Sequence, residues 1–522
     1  MTFTSLSRIA GAFVVAALFA PFQSCTDLEP EIYSSLTPAN FPASNDDIVS
    51  SYLSVYTDLY GMMNHGGYMS IQEISSDELM IPQRGSDWFD GGIWLRTHRQ
   101  TFDPQDGQYN GAWSFLYRGA LKANQVIDVI EESSLPEDQK APRIAELRTL
   151  RAYFYYQLTD AFGDVPLITQ DSDPTDQEPS ATPRAEIYNF VISELDAAAG
   201  NLGRSTGADS YGKINYWVNR ALASRFLLNA EVMTGSARWA DAEAAADEVI
   251  NGGQYNLTSN YFTNFDPDND SGFNGTSENM WVIPYDAPNV AGGFNIPQMT
   301  LHYASQATFN LQDQPWNGYC TLQEFYNSYD DEDIRKGEYG NQQVRGNFLA
   351  GPQYALDGVT PITDGSADDP GGVELVFTPE VNALEPNAYR EAGARVFKFG
   401  YEIGSPNSIK NDFPIIRYAE VLMNKAEAMK RQGKAGHAMF VNMIRERAGL
   451  DELDDNMSMD DLLAERGREF FFEITRRQDL IRFDRFTSPW FAKDATPATA
   501  KLFPIPQPQL NANRNLQQNP GY

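Results

Sequence analysis

Apolar residues of this chain fall on helical spacings over most of its length. Between residues 46 and 60, Ile48, Tyr52, Val55 and Leu59 recur at intervals of four, three and four, which puts all of them on one face of a helix. The same rhythm runs through 111–132 in Trp113, Leu116, Ala120, Ala123, Ile127 and Ile130, and through 137–162 in Ile144, Leu147, Leu150, Phe154, Leu158 and Ala161. Gly163 supplies a stop, and Pro166 keeps the helix from restarting. Helices over 183–199, 216–233 and 240–250 complete a first block. Its last two members are expected to form a hairpin whose alanines (Ala221, Ala223, Ala242, Ala245 and Ala246 among them) allow close approach. Residues 251–414 change character, being rich in Gly, Pro, Asn, Asp and aromatics with short alternating pieces such as 279–285; loops, short helices and a few small strands are predicted there. Helical rhythm returns over 416–431, 435–448 and 458–472, and the proline-rich tail is predicted to be largely extended.

The expected fold is mainly α, a tetratricopeptide-like scaffold of helix pairs with an irregular loop-rich middle and a few short strands, although no strict 34-residue repeat can be read off. Residues 9–20 (IAGAFVVAALFA) form an apolar run that fits the core of an export signal and falls short of the roughly 20 residues a bilayer span needs. A small residue, Ser24, precedes Cys25. The expectation is a signal peptide over 1–24, lipidation of Cys25, and an acidic tether over 25–45. Cleavage near Ala20 is the plainer alternative, but Leu18 is bulky where a small residue is wanted. Residues 46–522 then form one composite domain: a helical block (46–250), a loop-rich insertion (251–414), and C-terminal helices with an extended tail (415–522).

Composition narrows the chemistry. The 522 residues are 42% hydrophobic and include 8 Trp, 26 Tyr and 31 Phe, the profile of a folded chain. A net charge of −32 repels phosphate backbones, so nucleic acid is not an expected partner. Two cysteines, Cys25 and Cys320, build neither a disulfide framework nor a multi-cysteine metal site; with Cys25 lipidated, Cys320 is expected to be a buried thiol. His65, His98, His302 and His437 are scattered without ligand spacing. Asp266, Asp268 and Asp270 resemble the start of a calcium loop, yet Gly272 falls one place late and Ser277 stands at the twelfth position. A solvated acidic loop is expected there, with structural calcium as the alternative and no other cofactor. Neither G-x-S-x-G nor a P-loop pattern occurs.

Several stretches taken together resemble the SusD/RagB family of bacterial surface lipoproteins. They are SSDELMIPQRGSDWFDGGIWLRTHRQT (75–101), LRAYFYYQLTDAFGDVPLI (150–168), RYAEVLMNKAEA (417–428), NMIRERAGL (442–450), ERGREFFFEITRRQDLIRF (465–483) and a tail carrying PIPQPQL and QNPGY. Read for architecture, Gly163 stops a helix and Asp164 can accept from backbone amides. Glu469, Glu473, Arg476 and Arg482 pair with neighbouring helices while Phe470 and Phe472 enter the core. The resemblance implies four tetratricopeptide-like helix pairs and capture of glycans at the outer-membrane surface. It also implies a SusC-like TonB-dependent transporter as partner, over which the lipoprotein sits as a lid.

A sugar offers C–H faces rimmed by hydroxyls, so its site needs flat aromatic rings beside fixed polar groups. Covering one face is worth about 1 to 1.5 kcal/mol at roughly 25 cal/mol/Å², so several rings are required. Two parts of the chain offer them. The loop 76–94 interleaves Asp77, Arg84, Asp87, Trp88, Asp90 and Trp94 with glycines, and the turn Pro315-Trp316-Asn317-Gly318 follows Tyr303. Trp94 and Trp281 are expected to be core. The expected ligand-binding residues are Asp77, Arg84, Trp88, Tyr303, Trp316 and Asn317, in a non-enzymatic protein that delivers oligosaccharide to the transporter. A secreted glycoside hydrolase is one alternative, and peptide or glycoprotein binding by the same kind of lipoprotein is another. Anionic glycans would require a basic patch around Arg84, Arg96 and Arg99.

Overall fold

The rhythm of residues 137–162 becomes a helix with those bounds, Glu137–Phe162. It is joined by four residues to Gly107–Glu132, against which it packs. Gly119 makes that crossing close: a Cβ there would stand 2.3 Å from Cζ of Phe154. Gly163 ends the helix at φ 76°, and Oδ1 of Asp164 accepts from the Arg184 amide at 2.7 Å, starting the next helix, Arg184–Ala199. The structure is a computed structural model and describes residues 45–173, 175–270, 278–285, 293–365 and 372–522. Cys25, with the signal and tether segments, lies outside the described residues, as do Gly272 and Ser277 of the acidic run.

The stack continues through Tyr216–Leu228 and Trp239–Gly252, which pack together. The single helix expected over 216–233 breaks at Asn229, whose side-chain amide donates to the Arg225 carbonyl at 3.0 Å and competes with the backbone ladder; a second short helix, Ala230–Thr234, follows. The chain then leaves the stack for some 160 residues. On return, Tyr418–Arg431 packs on Trp239–Gly252, where Ala242, Ala245 and Ala246 are buried beneath it. The loop-rich middle is thus inserted between two neighbouring layers of one helical stack, and Ala438–Arg447, Met459–Phe470 and Arg476–Arg482 extend that stack.

The insertion is closed at its base by an antiparallel pair, Asn279–Ile283 with Phe413–Arg417. A buried ionic network reinforces this closure. Arg417 donates to Glu473 at 2.8 Å and Glu469 at 3.0 Å and pairs with Glu278, while Arg335 from the insertion reaches Glu465 at 2.8 Å and Glu469 at 3.1 Å. Burial alone would raise Glu469, but Arg447, Arg417 and Arg335 outweigh it and hold the carboxyl at about 2. Phe470 and Phe472 are buried, and Arg482 pairs with Glu427 at 2.7 Å. The tail is not uniformly extended: Gln507–Ala512 is helical, with Pro508 in its first turn, where no amide is needed.

Among the described residues the sheets are small, two strands each. One of them brings two distant loops together. Leu79–Met80 pairs antiparallel with Cys320–Thr321 in the register Leu79 to Thr321 and Met80 to Cys320. It draws the loop after residue 80 against the turn before residue 320, although about 240 residues separate them in sequence.

Candidate functional site

Where these two segments meet, a hollow of about 530 Å³ opens at the surface, lined by His65, Asp87, Trp88, Asp90, Tyr303, Gln314, Pro315 and Trp316. Trp88, Tyr303 and Trp316, nominated from separate parts of the sequence, line it together and are half-buried.

The local backbone explains how the rings reach the surface. Trp88 has φ 60° and Asp90 φ 42°, left-handed conformations costing on the order of 1–2 kcal/mol in a residue with a side chain. The indole is tied down in return, its Nε1 donating to the Trp316 carbonyl at 2.7 Å. The Trp316 turn is laid along the short helix Ile296–Thr300: the Trp316 amide donates to the Gln298 carbonyl at 2.7 Å and the Gly318 amide to the Met299 carbonyl at 2.9 Å. Trp94, as expected, is buried. It sits on the helix Ile93–Arg99, packs on His65 and Trp88, and donates from Nε1 to Asp90 at 2.7 Å.

His65 forms the floor. Its ring lies 5.2 Å from Trp88, 5.1 Å from Trp94, 6.0 Å from Trp316 and 5.8 Å from Tyr319, and its Nδ1 meets the Tyr319 hydroxyl at 3.0 Å. Burial lowers its pKa to about 4, against the opposing pull of Asp90, so the imidazole is neutral above that range. The Trp88 plane makes 87° with His65 and the Trp316 plane 60°, so the two indoles are not coplanar. The Tyr303 hydroxyl donates to Oδ2 of Asp87, and burial followed by that carboxylate raises the phenol above its usual range. The hollow therefore offers aromatic faces beside fixed acceptors, the combination that lies along a carbohydrate.

Three of the expected ligand residues are placed otherwise, and their reading is corrected. Arg84 is buried and donates to the carbonyls of Asn317 (2.8 Å), Gly318 (3.0 Å), Ala392 (3.1 Å) and Tyr389 (3.2 Å). Asn317 is fully buried; its amide donates to the Arg390 carbonyl at 3.1 Å and its Oδ1 accepts from Arg395 at 2.8 Å. Asp77 is held by Arg476 through bonds of 2.7 and 2.9 Å and does not line the hollow. All three secure the loops rather than face a ligand. His65 is the residue of this candidate site missed from sequence, and the Asn64-His65-Gly66-Gly67 turn between two apolar helical runs was the signal that could have found it.

Other expected features resolve as follows. Trp281 is buried, its Nε1 donating to Gly212 at 3.3 Å, and Cys320 is a buried thiol. Asp266, the first acid of the calcium-like run, pairs with Arg345 at 3.1 Å.

The described residues thus form a helical scaffold carrying an open, aromatic-lined hollow. Two family models match the chain, one described as "SusD family" over residues 277–522 and one as "Starch-binding associating with outer membrane" over 32–246. The chain belongs to the SusD/RagB family. It is similar to the starch-binding protein SusD of Bacteroides thetaiotaomicron, 28% identical over 412 residues, which is 72% of each chain. A SusD-like protein of Bacteroides ovatus is 23% identical, covering 91% of this chain and 82% of that one. Among solved structures, surface glycan-binding protein A of Bacteroides thetaiotaomicron, in complex with laminarihexaose, superposes with a TM-score of 0.72 at 20% identity, covering 91% of this chain and 99% of that one. A laminarin-binding SusD-like protein gives 0.70 at 22% identity over 92% of this chain and all of that one. These structural likenesses extend to the mainly helical fold with small sheets.

Proposed function

We propose that this chain is a non-enzymatic carbohydrate-binding protein of the outer-membrane surface, anchored through a lipid on Cys25, that captures oligosaccharide and passes it to a SusC-like TonB-dependent transporter. One observation carries this reading. Trp88, Tyr303 and Trp316, from loops more than 200 residues apart, converge with Asp87 and Asp90 on a single open hollow. Several aromatic faces beside hydroxyl acceptors supply the repeated contacts that weak sugar stacking needs. The relatives named as starch-binding and laminarin-binding, and the neighbour that holds laminarihexaose, support the ligand class.

The test is affinity electrophoresis in gels carrying laminarin or starch, with wild type, Trp88→Ala and Trp316→Ala. Retention of wild type that falls at least tenfold in each variant, with unaltered chain lengths of the glycan after long incubation, is the expected result. Full retention by both variants would place binding elsewhere on the protein, and shortening of the glycan that disappears in an Asp87→Asn variant would make it a hydrolase.

A further inference from the structure

The charged side chains that line the hollow carry one sign. Asp87 and Asp90 line it and are exposed, and each has one oxygen engaged: Oδ2 of Asp87 by the Tyr303 hydroxyl, Oδ2 of Asp90 by Nε1 of Trp94 at 2.7 Å. The second oxygen of each remains for water or a ligand hydroxyl. His65 is the other titratable ring of the lining besides Tyr303, and it is neutral at the pH of a cell surface. No lysine or arginine is among the described residues that line the hollow.

The nearby arginines are committed elsewhere. Arg84 is buried beneath four backbone carbonyls. Arg96 is held by Asp106 and by the Gly91 carbonyl at 2.9 Å, Arg99 by Glu385 at 2.6 Å, and Arg390, on the Tyr303 side, by Asp364 at 3.3 Å. The basic patch that an anionic glycan requires is therefore not offered. A carboxylate or sulfate entering the hollow meets two carboxylates at close range, while Arg84 and Arg390, whose charges reach Tyr303, donate away from it to backbone carbonyls and to Asp364. A neutral sugar meets the same groups as charge-assisted acceptors for its hydroxyls. One pair of side chains thus attracts one class of chain and repels the other, the arrangement that specificity needs.

We infer that the hollow selects uncharged, hydroxyl-rich glycans and rejects polyuronates and sulfated chains, with Asp87 and Asp90 as the residues that set this preference. The inference rests on the reading of the hollow as the glycan site. The experiment compares the purified full-length protein on a neutral β-glucan and on the same glucan after carboxymethylation, at low salt and in 0.5 M NaCl, beside Asp87→Asn, Asp90→Asn and Trp88→Ala, with melting temperatures as a control for folding. Wild type should bind the neutral chain at least tenfold better at low salt. Salt should narrow that gap, because charge repulsion is screened and steric exclusion is not. The asparagine variants should narrow it as well, by gaining the carboxymethylated chain. A gap insensitive to both salt and substitution overturns the electrostatic account. Preference for the charged chain, abolished by Trp88→Ala, overturns the inference and leaves the glycan site standing. No retention of either chain, nor of starch, by wild type removes the glycan reading and the inference with it.

Discussion

Gly318 lies directly against the indole of Trp88: a Cβ on Gly318 would stand 2.4 Å from Cζ2 of that ring. Contacts under 3 Å are not tolerated, so Gly318→Ala must push the indole out of the hollow and break its 2.7 Å bond to the Trp316 carbonyl. Glycan retention should fall about as far as in Trp88→Ala, with a loss of roughly 1–3 kcal/mol in stability from overpacking. Affinity electrophoresis together with the Trp emission spectrum checks this. An alanine variant with wild-type retention and emission would show that the ring does not depend on the glycine.

Asp77 and Arg84 separate a structural from a ligand role. Asp77 neutralises Arg476, which is buried and also donates to the Leu463 carbonyl at 2.9 Å. Asp77→Asn should therefore lower stability while leaving glycan affinity within twofold of wild type. Arg84→Ala removes a donor from four carbonyls, of which those of Ala392 and Tyr389 keep a second donor and, among the described residues, those of Asn317 and Gly318 do not. It should cost about 2–4 kcal/mol in urea unfolding and weaken binding, because the Trp316 turn loses its support. Loss of affinity in Asp77→Asn at unchanged stability would return that residue to the ligand.

These two residues also show where sequence reading stops. Trp88 and Trp316 were legible because glycine-rich loops and a Pro-Trp-Asn-Gly turn expose rings through local geometry. Arg84 and Asn317 occupy the same loops and look equally exposed, yet they are buried against each other's segment and against a third, 389–395. That contact depends on the pairing of Leu79 with Thr321, and nothing within a dozen residues of either announces it. Glu137–Phe162 was legible to its ends because periodicity and the Gly163 stop agree, whereas Gly107–Glu132 begins four residues before the expected 111. The break at Asn229 was not legible, since it comes from one side-chain amide reaching the Arg225 carbonyl. His65 escaped because its partners, Trp88 and Trp94 on one side and Trp316 and Tyr319 on the other, come from two segments more than 200 residues apart.

The closure of the insertion rests on Arg417, which is fully buried and serves Glu278, Glu469 and Glu473 at once. Arg417→Met leaves three carboxylates short of a counter-charge in a dry interior, a situation costing about 3–5 kcal/mol. Chemical denaturation should register that loss. An increase in stability, as when hydrophobic residues replace a complete buried ion network, would require the carboxylates to be replaced as well.

Glu73 and Glu78 form a buried pair of acids and make stability depend on pH. Each is about 1% exposed; Oε1 of Glu73 accepts from the Ile474 amide at 2.8 Å and Oε2 of Glu78 from the Phe472 amide at 3.1 Å. Burial raises Glu73 from an ordinary carboxylate value to about 7 and raises Glu78 as well, with mutual repulsion adding to the latter. A carboxyl that is raised on folding binds its proton more tightly in the native state. The stabilisation is complete below the unfolded value near 4.5 and is lost as pH rises through about 7. Glu465, Glu469 and Asp479 act in the opposite sense: burial raises each, but neighbouring arginines prevail and hold them at about 2, so their contribution persists above the ordinary range and fails only in strong acid. Stability should therefore peak in mild acid and decline on the order of 2–3 kcal/mol between pH 5 and pH 8. Guanidinium unfolding at pH 5, 6.5 and 8 measures the slope. Glu73→Gln, which retains an acceptor for the Ile474 amide, should flatten it, and a wild-type stability that rises across this interval would contradict the assignment of the proton to this pair.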